Sequence, residues 1–382
     1  MSSSLWLEDE HEPLPRVRIS GRADVAVVGG GVTGCACALA LAQGGARVRL
    51  FEARRVAEGA SGRNGGFALR GSAAPYDRVR HVVGSERARE LWGLTERALD
   101  RIEELAGDAL VRSGSLRLAV DAAERQELEA EYAALREDGF AADWRDELDP
   151  PLQSHFQGVL VHPTDGALQP ARWVRRLARL AAEAGADIRE GTRVESLGKL
   201  DADEIVIATD GYTSGLHPAL DAAIRPARGQ VLVTEPLPEQ LFPRPHYARY
   251  GYEYWHQLRD GRLVIGGCRD ASLETEATAE EATTELVQGR LEAVVRDLLG
   301  RVPRVTHRWS GIFGVTVDDL PLAGRVPGRD RVWVAAGYSG HGNVLGFVCG
   351  GLVAAALLGR PAPALALLDP SRTLEPEDGH VL

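Results

Sequence analysis

The stretch "ADVAVVGGGVTGCACALALAQGGARVRLFEA", residues 23–53, decides the fold of this chain. Its first segment, "ADVAVV", is almost continuously apolar, which predicts a strand buried on both faces, as in a parallel sheet. A run of glycines follows, then an apolar segment long enough for a helix, then a second strand that ends at "LFEA". Strand, glycine turn, helix and strand in this order predict the start of an α/β domain.

The glycines between the first strand and the helix have the spacing G-x-G-x-x-G. Gly29 permits the tight turn, Gly31 lets a pyrophosphate approach the backbone, and Gly34 allows the helix to pack on the strand. Glu52 ends the second strand, where its carboxylate would accept a hydrogen bond from a ribose hydroxyl. A glycine turn used only for packing would not explain Glu52. The segment therefore predicts a Rossmann-like domain that binds a dinucleotide.

Two further glycine-rich stretches decide between NAD and FAD. The stretch "EGASGRNGG", residues 58–66, offers backbone amides together with Ser61, Arg63 and Asn64 to a polar ligand. The stretch "GYSGHG", residues 337–342, precedes an apolar helix whose N-terminus would stabilise the electron-rich edge of a reduced flavin. A second nucleotide-binding half, as NAD would need, is not visible. We therefore predict FAD, with its pyrophosphate at the first turn and its flavin ring at the last.

The remaining segments predict a second sheet inserted into the first domain. The segments "QVLVTEP", "YEYWHQL" and "RLVIGGC" have the composition of strands in a mostly antiparallel sheet, and amphipathic helices flank them. A capping box of Thr278 and Glu281 predicts a helix start. The predicted fold is α/β (α+β), a discontinuous Rossmann-like FAD-binding domain with an inserted substrate domain built on a mostly antiparallel sheet flanked by helices. The predicted boundaries are 1–22 for an N-terminal extension, 23–75, 151–215 and 318–382 for the FAD-binding domain, and 76–150 and 216–317 for the substrate domain.

The composition argues against several classes of partner. The chain has 382 residues, of which 44% are hydrophobic and 26% are charged, as in a soluble globular protein with two joined domains. A net charge of -11 without a basic patch argues against nucleic acid or an anionic membrane as partner. No apolar run is long enough to span a bilayer, and "MSSSLWLEDEHEPLP" lacks a signal pattern, so we predict a cytoplasmic protein. The scattered cysteines predict buried thiols with neither a disulfide framework nor a metal site; they are Cys35, Cys37, Cys268 and Cys349.

Seven segments resemble one known family in sequence and in order. They are "DVAVVGGGVTG", "GASGRNGG", "ADEIVIATDGYTS", "RPARGQVLVTEP", "DGRLVIGG", "RWSGIFGVTVDDLPLAG" and "AAGYSGHG". On these segments the chain is similar, over essentially its whole length, to the FAD-dependent D-amino-acid-oxidase superfamily. Its motifs most resemble those of gamma-glutamylputrescine oxidase-like and glycine oxidase-like flavoenzymes. Together with the glycine motifs, the resemblance implies that FAD contacts Gly29, Gly31, Val32, Thr33, Gly34, Glu52, Ala53, Arg54, Ser61, Gly62, Arg63, Asn64, Gly65, Gly66, Val194, Ala208, Thr209, Asp210, Gly211, Gly311, Gly337, Ser339, Gly340, His341, Gly342, Asn343 and Val344.

Departures from the family pattern bear on the substrate. Phe313 stands where glycine oxidase-like proteins carry an arginine for the substrate carboxylate, and Asn343 and Val344 stand where sarcosine oxidase-like proteins carry a lysine. The loss of both cations favours an amine over an α-amino acid, although Arg63 or Arg70 would be an alternative clamp. The resemblance places the flavin-tethering cysteine near Gly311, and "GASGRNGG" contains no histidine, so FAD is expected to be non-covalent.

The aromatic segment "YARYGYEYWHQ", residues 247–257, is the candidate wall of the substrate site. If it forms a strand, Tyr250, Tyr252, Tyr254 and His256 share one face. Core packing is the alternative for the tyrosines, and an ordinary core histidine is the alternative for His256. The candidate catalytic residues are Tyr252, Tyr254, His256 and His341, the last as a neutral imidazole that contacts the cofactor.

The predicted reaction is oxidation of a C–N bond of a primary or secondary amine. Hydride passes to the flavin, the imine is hydrolysed to a carbonyl compound and an amine, and O2 is reduced to H2O2. Val264 stands where some relatives carry a lysine that assists oxygen, so a dehydrogenase with another electron acceptor remains open. The sequence also leaves open an oxidase of glycine, sarcosine or D-amino acids, a nicotinamide-dependent dehydrogenase, and a flavin-binding accessory subunit. It does not determine the oligomeric state.

Overall fold

The computed structural model describes residues 4–372, which form three β-sheets and the helices that cover them. Residues 1–3 and 373–382, which belong to the segments predicted as 1–22 and 318–382, lie outside the described residues. The strands are β1 Ala23–Val28, β2 Val48–Phe51, β3 Phe67–Ala68, β4 Leu110–Val111, β5 Ser115–Leu118, β6 Asp143–Arg145, β7 Val159–His162, β8 Gly166–Leu168, β9 Asp187–Arg189, β10 Ala202–Ile207, β11 Arg225–Pro236, β12 His246–Ala248, β13 Glu253–Gln257, β14 Arg262–Gly267, β15 Val305–Val315, β16 Leu322–Arg325 and β17 Val332–Ala336. The helices are α1 Val32–Gln43, α2 Tyr76–Val83, α3 Ser85–Ala106, α4 Ala122–Glu137, α5 Pro170–Glu183, α6 Pro218–Ala223, α7 Leu273–Glu276, α8 Glu285–Leu299 and α9 Gly342–Leu357. Within residues 4–372, no helix is both long enough and apolar enough to cross a bilayer.

The first sheet contains the strand predicted from residues 23–53. Its order is β16-β17-β10-β1-β2-β9, and all neighbours are parallel except β16, which pairs antiparallel with β17 at one edge. Helices cover this sheet, so β1 and β17 are buried almost throughout, which explains their continuous apolar sequences. The predicted parallel sheet is confirmed.

Helices α1 and α9 lie side by side because small residues let their backbones approach. A Cβ at Gly350 would overlap the Thr33 carbonyl oxygen, and a Cβ at Gly346 would lie 2.7 Å from the Thr33 hydroxyl oxygen. Each helix starts directly after one of the predicted glycine turns. The close packing therefore brings both turns to the same edge of the sheet, where the parallel strands end.

The second sheet is mixed but mostly antiparallel, as predicted. Its order is β15-β11-β14-β13-β12-β5-β7-β6, and only the β12–β5 pair is parallel. Strand β7 belongs to this sheet although its residues fall in the range 151–215 predicted for the FAD-binding domain. The domain boundaries themselves stay a prediction. A third, small sheet joins β3, β8 and β4.

Two local predictions were wrong. Helix α8 begins at Glu285 with Thr284 as its N-cap, not at the capping box of Thr278 and Glu281, because the Glu281 carboxylate instead binds Arg54. The tyrosine strand is also shorter than predicted. It begins at Glu253, because Tyr250 has a left-handed backbone with φ 58 and its N–H donates to Glu124. Tyr250 and Tyr252 therefore lie outside the strand.

The N-terminal extension packs on the body of the protein. The Ser4 side chain caps a short turn over Leu5–Leu7, in which Trp6 is only 3% exposed. Further along, Asp9 pairs with Arg172 of α5. We call residues 4–7 the N-terminal turn. This turn packs against the segment 58–66, which makes it a component of the candidate site.

Candidate functional site

A cavity of about 580 Å³ opens where the parallel strands end and continues to the second sheet. Its walls come from the turn after β1, the segment 58–66, the chain after β10, residues 311–313 of β15, and the chain before α9. We call residues 29–34 the first glycine turn, residues 58–66 the glycine box and residues 337–342 the second glycine turn. All three contribute residues to this one cavity, as the sequence predicted for a single long cofactor.

The first glycine turn has glycines because there is no room for side chains. A Cβ at Gly34 would overlap the Gly29 carbonyl oxygen, and a Cβ at Gly29 would overlap the Ala208 carbonyl oxygen. A Cβ at Gly31 would lie 2.9 Å from the Ser61 hydroxyl oxygen, which itself accepts a hydrogen bond from the Val32 N–H at 3.0 Å. The turn therefore presents bare backbone at the N-terminus of α1, which suits a pyrophosphate.

Glu52 lies at the end of β2 and faces the same turn. One carboxylate oxygen accepts from the Gly30 N–H and the other from the Arg54 N–H, each at 2.7 Å. These backbone bonds orient the carboxylate in the cavity wall. Each oxygen keeps a lone pair, so the geometry fits the predicted acceptance from ribose hydroxyls.

The glycine box is held from behind by two indoles. Trp6 Nε1 donates to the Asn64 carbonyl and Trp309 Nε1 donates to the Arg63 carbonyl, both at 2.8 Å. Asn64 and Asn343 exchange two amide hydrogen bonds of 3.0 Å, which join the box to the first turn of α9. The box is therefore a rigid wall between the two glycine turns.

A charged cluster closes the cavity beside the first glycine turn. The Glu281 carboxylate accepts from Arg54 at 2.7 Å and from the Tyr212 hydroxyl, and it lies 3.5 Å from Arg63. Burial opposes ionisation of Glu281, but the hydrogen bonds from Tyr212 and Arg54 outweigh it and hold its pKa below the usual range. Both arginines thus share one carboxylate, which leaves the cluster with a net positive charge.

The second glycine turn is shaped by unusual backbone angles and by Asp210. Gly337 and Gly340 have φ of 83 and 95, and Ser339 between them has φ 48. The Asp210 carboxylate accepts from the Gly337 N–H at 2.8 Å and from the Gly314 N–H at 3.0 Å. The pKa of Asp210 is raised, because the effect of burial is larger than the opposing effect of these backbone hydrogen bonds. The carboxylate therefore ties the turn to β15.

His341 lies in the second glycine turn, at the N-cap position of α9. Burial, together with the charge of Arg117, lowers the pKa of His341 to about 4, so the imidazole is neutral at neutral pH. A neutral state was predicted, but burial rather than the helix N-terminus is the main cause. Its Nδ1 is buried and has no hydrogen-bond partner among residues 4–372, although the side chain lines the cavity. Such an orphaned atom is expected where a ligand belongs.

Aromatic rings and two charged groups line the far end of the cavity, next to the second sheet; they are Tyr247, Tyr252, Tyr254, Phe313, Arg269 and Asp319. Tyr254 lies against the glycine box, since a Cβ at Gly65 would come within 2.7 Å of its ring. Asp319 is 8% exposed, and burial raises its pKa to about 6 while a hydrogen bond from Ser339 opposes the shift. This end is mostly aromatic but contains one cation and one titratable acid.

Most predicted site residues line this cavity, including Tyr252, Tyr254 and His341. Five predicted cofactor residues do not line it, because packing or backbone contacts occupy them; they are Gly34, Gly62, Gly66, Gly211 and Gly337. The position of His256 contradicts its prediction as a catalytic residue. It is 3% exposed and packs between Trp6 and Phe67 behind the glycine box. Its pKa falls to about 4 through burial, as for a core histidine.

Sequence reasoning missed Arg269 and Asp319, whereas Tyr247 belongs to the aromatic segment that was predicted as the wall. Arg269 follows the predicted strand "RLVIGGC" directly, so its place at a strand end was the available signal. The alternative clamp Arg70 is excluded as a cavity residue, because it is buried and paired with Asp165 and Glu96. Arg63 does line the cavity, but it shares the Glu281 carboxylate with Arg54.

Comparisons with known proteins agree with this geometry. A family model described as FAD dependent oxidoreductase (DAO) matches residues 24–356. The chain is 31% identical over 386 residues to a probable oxidoreductase, OrdL, of Rhizobium meliloti, with 93% of this chain and 88% of the relative covered. It is 27% identical to the gamma-glutamylputrescine oxidoreductase of Escherichia coli, covering 92% and 87%. The crystal structure of glycine oxidase from Geobacillus kaustophilus matches with a TM-score of 0.75 and 25% identity, covering 93% of this chain and 100% of that chain.

Proposed function

Because the chain belongs to the DAO family of FAD-dependent oxidoreductases, which act on amines and amino acids, we propose that it oxidises a C–N bond of a primary or secondary amine. One observation carries the proposal. A single cavity runs from the first glycine turn, past the second, to an aromatic end with room for a small molecule. The cofactor and the substrate would therefore share one cavity.

The residues of the cavity fit FAD. Glu52 would hold the ribose, the backbone of the first glycine turn would hold the pyrophosphate, and the second glycine turn with Asn343 would hold the flavin ring. The orphaned Nδ1 of His341 fits this assignment, since a polar ring edge would supply its missing partner. We propose that FAD is non-covalent, because Gly311 has no side chain with which to form a bond.

Bound FAD supplies a hydride acceptor for the carbon next to the substrate nitrogen. The protein must therefore deliver the amine in its neutral form, with its lone pair free. The rings of Tyr252, Tyr254 and Phe313 support this role, because an apolar wall disfavours the ammonium ion and lowers its pKa. Water then hydrolyses the imine product to a carbonyl compound and an amine.

The electron acceptor is proposed to be O2, which yields H2O2. The alternative, a dehydrogenase with another acceptor, rests on the missing lysine, since Val264 is fully buried in the core and does not line the cavity. Glycine, sarcosine or a D-amino acid is the second candidate substrate class, favoured by the similarity to glycine oxidase. Buried free cysteines fit a reducing compartment, and we propose the cytoplasm.

The test is anaerobic reduction of the bound flavin by a panel of amines and amino acids. We expect the flavin absorbance to bleach with at least one primary or secondary amine. Admission of O2 to the reduced protein should then restore the colour and release one H2O2 per flavin. A flavin that no amine and no amino acid reduces would contradict the proposal. Reduction followed by very slow reoxidation would favour the dehydrogenase alternative.

A further inference from the structure

Residues 277–284, which we call the connecting segment, reach from the second sheet to the cofactor end of the cavity. The segment has neither helix nor strand and runs between α7 and α8, which both pack on β11. Two of its residues, Ala279 and Glu281, line the cavity together with Arg54 and Tyr212. The segment therefore belongs to the second sheet at its ends and to the wall of the cofactor cavity at its middle.

Both ends of the connecting segment are anchored in a buried polar network. Glu276, just before the segment, is 1% exposed and accepts hydrogen bonds of 2.8 and 3.0 Å from Arg228. At the other end, the Thr284 N–H donates to the Gln230 side chain at 3.0 Å, and Gln230 Nε2 donates to the Thr284 hydroxyl and to Glu276. Arg228 and Gln230 lie on β11, so neither end can move without breaking a buried network.

The middle of the connecting segment is held more weakly than its ends. Four of residues 277–283 are exposed to solvent, and a hydrogen bond of 3.4 Å joins the Glu280 carbonyl to Arg228. The Glu281 carboxylate takes shorter bonds of 2.7 and 3.0 Å from Arg54 and a further one from the Tyr212 hydroxyl. The Arg54 side chain is 31% exposed and that of Glu281 15%, so water competes for this contact far more than for the buried pair at the end of the segment.

The partners of Glu281 both belong to the first sheet. Arg54 comes two residues after Glu52, at the end of β2, and Tyr212 follows β10. The centre of the Arg54 guanidinium lies 5.3 Å from the centroid of the Tyr212 ring, so the two side chains support each other. Glu281 therefore joins the second sheet to the first across the end of the cavity that fits the ribose and pyrophosphate of FAD.

We propose that the connecting segment is a lid which opens for FAD to enter and leave the cavity, and that Glu281 is its latch. Opening breaks the bonds of Glu281 to Arg54 and Tyr212, while the network around Glu276 keeps the ends of the lid in place. Because the latch keeps the open state scarce, it slows both the association and the release of FAD. The inference goes beyond the proposed function, since it concerns exchange of the cofactor and holds for any substrate.

The first measurement is the release of FAD from the full-length holoprotein, without substrate. An excess of isotopically labelled FAD replaces the bound cofactor, and the rate of replacement gives the dissociation rate constant. We expect Glu281→Gln to speed release by roughly tenfold or more, because the neutral amide loses the charge-assisted bonds from Arg54. Tyr212→Phe removes one hydrogen bond without changing the charge, so it should speed release about threefold. Glu280→Gln is the matched control and should change the rate by less than about twofold, since Glu280 is exposed and does not line the cavity.

The second measurement separates a latch from a side chain that merely contacts the bound cofactor. FAD is mixed with the flavin-free protein, and the change in flavin fluorescence gives the association rate constant. Loss of a direct contact would speed release and leave association unchanged, whereas loss of a latch speeds both, because the same opening precedes both steps. We expect Glu281→Gln and Tyr212→Phe to bind FAD faster than the wild type, by factors similar to those for release. Tyr212→Phe is decisive, since it leaves the attraction between the cavity and an anionic cofactor unchanged.

Three outcomes overturn the inference. The first is a Glu281→Gln protein that releases FAD as slowly as the wild type. The second is faster release at an unchanged association rate in both variants, which would make Glu281 a contact residue only. The third is an equal effect of Glu280→Gln and Glu281→Gln, which would leave a general effect of charge. None of these rates requires a substrate, so a flavin that no amine reduces would contradict the proposed function and leave the latch standing.

Hydrogen exchange of the holoprotein decides the matter if the flavin-free protein does not stay folded. We expect Glu281→Gln to speed exchange of the backbone amides of the connecting segment and to leave those of the first glycine turn unchanged, because only the lid opens more often. Unchanged exchange in the connecting segment, or equally faster exchange in both regions, would overturn the inference.

Discussion

The two glycine turns of this protein look alike in sequence but are glycine-rich for different physical reasons. In the first, a Cβ at Gly34 or Gly29 would overlap a backbone carbonyl oxygen, so packing forbids a side chain. In the second, a Cβ at Gly340 would meet no atom within 4 Å, yet its φ is 95. At Gly340 the backbone conformation, not the available space, favours glycine.

The turns are also fixed in different ways. The first is packed between backbone segments of the parallel sheet and helix α1, and the Glu52 and Ser61 side chains accept hydrogen bonds from its N–H groups. The second is tied to β15 by the Asp210 carboxylate, which accepts from Gly337 and Gly314, and by a hydrogen bond of 2.8 Å from the Ser339 N–H to the Gly314 carbonyl. Similar glycine patterns can thus differ in the substitutions that damage them, and four predictions test that difference.

The largest effect is expected from Gly34→Ala. The new methyl group would overlap the Gly29 carbonyl oxygen, which cannot move without shifting β1 from α1. We expect a loss of roughly 3 kcal/mol or more in the free energy of unfolding, together with loss of flavin. Flavin content and urea denaturation measure both. Gly351→Ala on α9 is the control, because a Cβ there meets nothing within 4 Å and should stabilise the helix by about 0.5–1 kcal/mol. Equal damage from both substitutions would contradict the packing argument.

The second effect tests how Asp210 holds the second glycine turn. Asp210→Ala leaves the N–H groups of Gly337 and Gly314 without their acceptor, which should cost about 2–4 kcal/mol in the free energy of unfolding. Asp210→Asn keeps one acceptor oxygen and tolerates the left-handed backbone of this residue, so it should cost about half as much. Denaturant titrations of the two variants compare the costs. An alanine variant as stable as the asparagine variant would show that the carboxylate is not what fixes this turn.

The third effect is a dependence on pH through Asp319, which contacts the second turn. Burial raises its pKa from 3.8 to about 6, so the folded state holds the proton more tightly than the unfolded state does. The stability that this carboxyl contributes is complete below about pH 4 and is lost as the pH rises through about 6. Asp319→Asn should therefore gain about 1–3 kcal/mol relative to the wild type between pH 4 and pH 8. Melting temperatures at both pH values test this, and parallel profiles of the two proteins would refute it.

The smallest effect is expected from Gly340→Ala, the direct counterpart of Gly34→Ala. Space is available for the methyl group, so only the unfavourable backbone angle remains, at a cost of about 1–2 kcal/mol. Unfolding of the flavin-free protein isolates this backbone cost. If that cost is as large as for Gly34→Ala, the two turns do not differ as described. If the variant loses flavin although its flavin-free form is as stable as that of the wild type, the cofactor approaches the backbone closely at Gly340.

Local patterns explain what the sequence could predict. The order of β1, the first glycine turn, α1 and β2 follows from contiguous residues, and the family match confirms the predicted FAD and fold class. Gly29, Gly31 and Glu52 line the cavity because their positions depend on one strand–turn–helix unit. Their site roles stay predictions until a ligand is bound.

Distant partners explain what the sequence could not predict. Glu281 matched a capping box, but it binds Arg54, 227 residues away. Tyr250 matched a strand period, but its N–H donates to Glu124, 126 residues away, and the chain turns there. The Arg269 guanidinium lies near two rings, Tyr252 and Phe313, one of them on a distant segment. No periodicity in a single segment contains such information.

The two indoles behind the glycine box have a consequence for the order of folding. The Asn64 carbonyl takes its partner from Trp6, 58 residues upstream, and the Arg63 carbonyl takes its partner from Trp309, 246 residues downstream. Closing so long a loop is entropically slow, whereas β1, α1 and β2 meet within one short stretch of chain. We therefore expect the first glycine turn to form before the wall that it faces. The nascent chain has to extend past β15 and the second glycine turn before the cofactor can bind to a complete site, and we expect bound FAD to stabilise the last contacts to form.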